Sequence, residues 1–354
     1  MGRISGFVIK QWKLLLNIIT VIALLIAIYV IRDDLVATFR NLFHVHAWVL
    51  LMFIPLEALN YHAQTKLYQH LFAVVGNKLP YKKLYVASLE LAFVNHVFPS
   101  GGAAGISYFG LRFKDVDISA AKSTMIQIMK VILTFFSFEA LIFLSVIFLA
   151  IGGKVNSFTM LVAGIISTLL IVISILFVFI AGKRERINAF LAFMTEKLNK
   201  FLRMFRKSPE DYIDMEHARV VFDEFHDTYM KMHKNKKQIQ PPLLYALLCN
   251  VTEIAVVYVT FIAFGYVVNP GAVILAYGVA NIAGMISILP GGVGIYETLM
   301  TAVLLTTGIS ADLSLPVIIM YRVLNTLLQM PTGYFLYQRN IYGHGKSQHK
   351  PSAV

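Results

Sequence analysis

Six ionisable residues stand inside long apolar runs of this 354-residue chain: Lys130, Arg322, Glu90, Glu139, Glu253 and Glu297. A charge at mid-bilayer costs about 3 kcal/mol even on insertion scales, so each such group must be paired, hydrated or functional. The two cations follow matched glycine-proline strings. Lys130 comes 31 residues after Pro99 of Phe98-Pro-Ser-Gly-Gly-Ala-Ala-Gly105, and Arg322 comes 32 after Pro290 of Leu289-Pro-Gly-Gly-Val-Gly-Ile-Tyr-Glu297. Lys130-Val-Ile-Leu-Thr134 and Arg322-Val-Leu-Asn-Thr326 also align, which points to a duplicated unit. Arg322 offers a planar fork that matches a phosphate, and a helix starting near Val293 to Tyr296 would aim free N–H groups at the same anion. Alternatively, Arg322 pairs with Glu297 or Glu253 and locks neighbouring helices; the two roles can alternate between states.

Gly291, Gly292 and Gly294, with Gly101, Gly102 and Gly105 in the other string, lack Cβ atoms. That suits a tight turn that a headgroup can approach, or close helix packing. Glu90, Glu253 and Glu297 suit either neutralisation of a cationic headgroup or proton carriage. Asn95 and His96 precede the first break, where His96 reads as a cap on the interrupted helix. Asn250 with Glu253, and Asn325 with Gln329, share helix faces and read as interhelical hydrogen-bonding groups. No helical HExxH, cysteine pair or Gly-x-Ser-x-Gly occurs, so neither a metal nor a cofactor is expected; His44, His46, Asp33 and Asp34 form a lone polar cluster.

The elements that must position these residues are helices in a membrane. With 58% hydrophobic and 14% charged residues, and a mean hydropathy of +0.69, the chain has more apolar surface than a soluble fold of this size buries. Runs long enough to cross are Leu14 to Ile31, Val45 to Leu59, Thr124 to Leu149, Phe158 to Ala181, Leu243 to Val268 and Leu315 to Tyr337. The first has no cleavage signal and is expected to be retained. Leu84 to Phe113 and Ala272 to Thr307 contain the breaks and read as re-entrant hairpins, because non-helical backbone survives at that depth only against protein or water. The expected fold is all-α: a polytopic bundle of about six spans with two inverted re-entrant hairpins. Its parts are an N-terminal membrane half (1–182), a cytoplasmic amphipathic segment (183–240), a C-terminal membrane half (241–340) and a disordered tail (341–354).

Charge sets the orientation. An N-terminus inside leaves only Arg32, Arg40 and Lys154 as basic residues outside, so both termini are expected in the cytoplasm of a multi-pass cell-membrane protein. This bias accounts for the net charge of +12 without a nucleic-acid partner. The single cysteine, Cys249, precludes an internal disulfide. Within 183–240, Ile187, Phe190, Leu191, Met194, Leu198, Phe201, Leu202 and Phe205 recur at helical spacing opposite basic residues, and Val221, Phe225, Tyr229 and Met232 form a weaker run. The first run suits either an anionic lipid surface or a cap on the bundle.

Pro290-Gly-Gly-Val-Gly-Ile-Tyr-Glu297, the Tyr321-Arg322 pair and Asn95 ahead of Pro99 together resemble the transmembrane, flippase-like domain of lysylphosphatidylglycerol synthases, over roughly Lys13 to Arg339. The first unit has Lys130 where the family pattern leads one to expect arginine. In two-domain relatives a soluble domain makes the aminoacylated lipid and the membrane part moves it outward. Since the chain ends shortly after its last apolar run, the resemblance implies transport without lysine transfer. The implied substrate is an anionic or aminoacylated phospholipid, or a lipid-linked headgroup, bound by Arg322, Lys130, Glu297, Glu253, Glu90, Asn95, Pro99, Gly101, Gly102, Pro290, Gly291, Gly292, Gly294 and Tyr296. The rival readings are a membrane-embedded lipid-phosphate or polyprenyl-phosphate transferase with Glu297 or Glu90 as base, and a partner that recruits a separate cytoplasmic synthase through 183–240. Association with further copies of the chain stays open.

Overall fold

The computed structural model describes residues 32–98, 103–113, 116–205, 215–286 and 292–347, with isolated Ile22 and Tyr29. Among these residues every regular element is helical: α1 (Arg32–Leu42), α2 (Phe53–Val74), α3 (Tyr81–Val97), α4 (Ala103–Arg112), α5 (Ala120–Ile151), α6 (Ser157–Ala181), α7 (Arg184–Phe205), α8 (Met215–Lys234), α9 (Gln240–Ala263), α10 (Pro270–Ile286), α11 (Ile295–Thr306) and α12 (Ala311–Ser347). Short 3₁₀ turns precede α2 and α9.

Local sequence sets the boundaries. Ser119 Oγ accepts from the Lys122 N–H at 3.1 Å to start α5, and Gly153, at φ 62, follows its end. Asn156 caps α6 by accepting from the Thr159 N–H at 2.8 Å. Pro241 and Pro242 occupy the first turn of α9, where the missing N–H groups cost nothing. Four helices among the described residues are long and apolar enough to cross a bilayer: α5, α6, α9 and α12. On α6 the side chains of Phe158, Ile165, Ile175 and Phe179 face outward, as on a lipid-facing helix.

The second expected crossing is displaced. Instead of filling Val45 to Leu59, the helix runs from Phe53 to Val74 and buries Asn60 and Thr65 in the bundle. Leu14 to Ile31, save Ile22 and Tyr29, lies outside the described residues, as do 348–354 of the tail.

The helices after α1 fall into two matched series, α2–α5 and α9–α12. Each has a long helix, two shorter helices flanking a break, and a long helix bearing the buried cation. α2 packs along α9; α3 lies against α12, and α10 against α5, so each series supplies a wall for the other's hairpin. Glycine permits these crossings. A Cβ on Gly333 of α12 would come within 2.6 Å of Phe93 Cβ and 2.7 Å of Leu89 O on α3, and one on Gly271 of α10 would strike the Ser145 carbonyl of α5. The hairpins engage opposite ends of α12. Phe93 packs at a tilt against the rings of Tyr334 and Tyr337, and Tyr108 accepts from Asn340 at 3.0 Å. By contrast, α11 leads through Gly308 into the start of α12, where Asn156 donates to Thr306 O at 2.8 Å.

Between the series, α7 and α8 form a helical pair beyond α6. Arg184 bridges Asp227 at 2.8 Å, Ser119 hydrogen-bonds Glu224, and Ile187, Tyr229 and Met232 are buried. The weaker apolar run is therefore docked on the bundle, while Phe190, Phe193 and Met194 of α7 stay exposed.

Candidate functional site

The second break gives way to α11 through two glycines in left-handed backbone, Gly292 at φ 67 and Gly294 at φ 86, where a side chain would be strained. The Gly294 N–H donates to Glu297 Oε2 at 2.7 Å, so a carboxylate in the first turn caps the helix that holds it. Its other oxygen accepts from Arg322 Nη1 of α12. The guanidinium carbon lies 5.0 Å from the centre of the Tyr296 ring, a cation–π contact. Both charged side chains are largely buried, 17% exposed for Arg322 and 11% for Glu297. The Arg322 charge also acts on Asp34 of α1 and on His96 near the end of α3. Elements from both series thus converge on Arg322.

From this corner a polar belt runs across the bundle. Tyr321, beside Arg322, donates to Glu253 Oε2 of α9 at 3.3 Å. Glu253 lies close enough to Lys130 of α5 for the two charges to interact. Lys130 Nζ donates to Gln64 Oε1 at 3.4 Å and sits 5.5 Å from the Tyr68 ring centre. Gln64 in turn donates to Asn60 at 2.6 Å, and Asn60 to Thr252 at 2.9 Å, tying α5, α2 and α9 together. Among the described residues Lys130 has no salt-bridge partner, whereas Arg322 is paired with Glu297.

The structure also brings in Glu57, on α2, which sequence reasoning missed. It is buried, accepts from Gln329 Nε2 of α12 at 3.3 Å, and feels the charge of Glu253. It lies two residues before the end of the apolar run Val45 to Leu59 and so resembles a span boundary; the shift of α2 to Phe53–Val74 carries it inside. Gln329 also donates to Asn325 of its own helix at 2.7 Å, while Asn250 donates to Ser137 at 2.6 Å as an interhelical hydrogen bond.

The remaining sequence-derived residues lie elsewhere. Glu90 is buried against Arg112 of α4, at 2.5 Å from Nε, and accepts from Tyr108 at 2.8 Å. This separate pair sits near the Asn340 end of α12. Asn95 is pressed over Gly105, where any Cβ would collide with its Oδ1. His96 bonds back to Ala92 O at 2.9 Å within its own helix. Pro99, Gly101, Gly102, Pro290 and Gly291 lie outside the described residues.

Chemically, the belt offers a guanidinium at a helix N-terminus, a second cation, and carboxylates beside them. Such a set of groups can hold an anion. It contains no Ser–His or Cys–His pair of the kind that activates a nucleophile.

Over residues 15–333 the sequence matches the family described as lysylphosphatidylglycerol synthase TM region. It is 23% identical over 272 residues to a UPF0104 membrane protein of Methanocaldococcus jannaschii, covering 75% of this chain and 77% of that protein. A UPF0104 membrane protein of Pyrococcus horikoshii is 26% identical over 117 residues, 33% of this chain and 35% of the relative. A third, from Methanothermobacter thermautotrophicus, is 28% identical over 97 residues, 27% of this chain and 29% of the relative. The chain thus spans about a third of the length of the Pyrococcus and Methanothermobacter relatives and three quarters of the Methanocaldococcus one.

Proposed function

As this chain is a membrane protein that belongs to the lysylphosphatidylglycerol synthase transmembrane-region family, we propose that it moves an anionic or aminoacylated phospholipid, or a lipid-linked headgroup, between leaflets. The observation that carries this reading is the Arg322–Glu297 pair at the start of α11, within reach of both series. A lipid phosphate arriving there exchanges with Glu297 on the guanidinium. Glu297 keeps its bond to the Gly294 N–H, so the helix cap outlasts the exchange. Lys130, held by an amide and a ring, is the second station, with Glu253 between the two. Such stations lower the barrier that hydrocarbon sets against a charged headgroup.

The membrane arrangement that goes with this mechanism has about six crossings and two inverted re-entrant hairpins in the cell membrane. Both termini and residues 183–240 are cytoplasmic, dividing membrane halves at 1–182 and 241–340. The exposed Phe190, Phe193 and Met194 of α7 then lie on the inner leaflet, where the same segment can also receive a separate cytoplasmic synthase.

The test is reconstitution in liposomes with labelled lysylphosphatidylglycerol, phosphatidylglycerol and a polyprenyl phosphate, read with an impermeant quencher. The protein should expose at least one of them across the bilayer, and Arg322→Ala should abolish this while the variant still purifies as folded protein, its thermal unfolding lowered only by the loss of the ion pair. No movement of any lipid overturns the reading. Product formation from a soluble donor in its place assigns the protein to the transferases.

A further inference from the structure

The exchange at Arg322 leaves a second buried acidic centre without a task. Glu57 and Glu253 meet where α2 and α9 pack along one another. Each accepts a hydrogen bond from a neutral donor of α12: Gln329 Nε2 to Glu57 Oε2 at 3.3 Å, and the Tyr321 hydroxyl to Glu253 Oε2 at 3.3 Å. The other Glu57 oxygen, in a residue only 6% exposed, is buried with no partner. Near Glu253 the Tyr296 hydroxyl is also buried, beside the Tyr321 hydroxyl.

What would occupy such a place follows from the donors. A hard metal cation takes about six to eight oxygen ligands, whereas here an amide N–H and a phenol O–H point inward and take up carboxylate lone pairs. A proton fits better. Placed on Glu57, it neutralises a carboxylate whose Oε1 is buried with no partner to balance its charge, and so removes one of two like charges that cannot both persist in a dry site. The groups facing the pair are Lys130 from α5, Cys249 from α9, Tyr61 from α2, Tyr277 from α10, Tyr296 from α11 and Tyr321 from α12. Lys130 alone among these is cationic, and one ammonium balances one carboxylate.

We propose that Glu57 and Glu253 form a proton-carrying pair that holds one proton between them at neutral pH and takes up a second as an anionic headgroup docks on Lys130, making lipid movement an electroneutral symport with protons. The balance is direct. The headgroup anion claims the Lys130 charge, Glu253 loses its counter-ion and binds a proton from water, and both leave together. The coupling rests on the translocation reading; the shared resting proton does not.

Two measurements test it separately. Difference infrared spectroscopy of the purified protein between neutral and alkaline pH should show a carboxylic-acid carbonyl band, lost in both Glu57→Gln and Glu253→Gln. In liposomes, one pH unit of gradient should shift the steady-state distribution of labelled phosphatidylglycerol about tenfold, as for one coupled proton, and Glu57→Gln should remove that dependence. Should a glutamine variant fail to fold, Glu57→Asp retracts the carboxyl by one methylene and should move the band. Absence of the band from wild type overturns the shared proton. Movement that ignores the gradient overturns the coupling, and absence of movement with the band present overturns the coupling and the translocation reading together while the shared proton stands.

Discussion

Glu297 serves two masters, the Gly294 N–H through one oxygen and Arg322 through the other. Glutamine at this position can still cap α11, since it too accepts from a backbone N–H, but it leaves Arg322 without the carboxylate. We expect Glu297→Gln to lower stability by about 3–5 kcal/mol, the cost of removing one partner of a buried ion pair, read as a drop in thermal unfolding temperature in detergent. Added anionic phospholipid should restore part of that loss by taking the vacated place on the guanidinium. Arg322, Lys130, Glu253 and Glu297 were legible in the sequence because a charge inside an apolar run stands out whatever the fold. Glu57 was not, being the last polar residue of a run whose limits only packing defines, and Arg112, the buried partner of Glu90, was hidden at a hairpin end.

At the scale of elements, the interruptions between α3 and α4 and between α10 and α11 were readable because proline and glycine interrupt helices for local reasons that need no tertiary context. α2 was not, because Asn60, Gln64 and Thr65 break its apolar pattern, Gln64 donating to Asn60, Asn60 to Thr252 of α9, and Thr65 to the Tyr61 carbonyl of its own helix. Close crossings are equally invisible in sequence, since a glycine that turns the chain and one that admits a neighbour look alike. Their effects separate by experiment. Gly333→Ala should destabilise by about 1–3 kcal/mol, as overpacked cores do, because its methyl meets backbone and Cβ atoms of α3 that cannot rotate away. Gly278→Ala, whose methyl would lie 3.8 Å from Phe138 Cδ1, should be nearly neutral. Thermal unfolding of the two variants side by side measures the difference.

For the whole molecule, the apolar composition and the skewed distribution of basic residues spoke for a membrane protein and for a definite orientation, whereas the exchange of hairpin walls between α2–α5 and α9–α12 emerged only from the fold. Orientation is open to single-cysteine labelling, with buried Cys249 as a quiet background. In intact cells a cysteine at Asn156 should react with an impermeant maleimide, and one at Lys200 only after lysis. The two series differ in one respect that bears on loading. Arg322 faces an acid 25 residues earlier in the chain, while Gly105 stands at that same remove from Lys130. In the proposed translocation, a headgroup reaching the lysine displaces only the longer-range pull of Glu253, whereas at the arginine it must first evict a directly bonded carboxylate. Loading is therefore slower at the arginine than at the lysine, while between identical leaflets the two directions still carry equal flux.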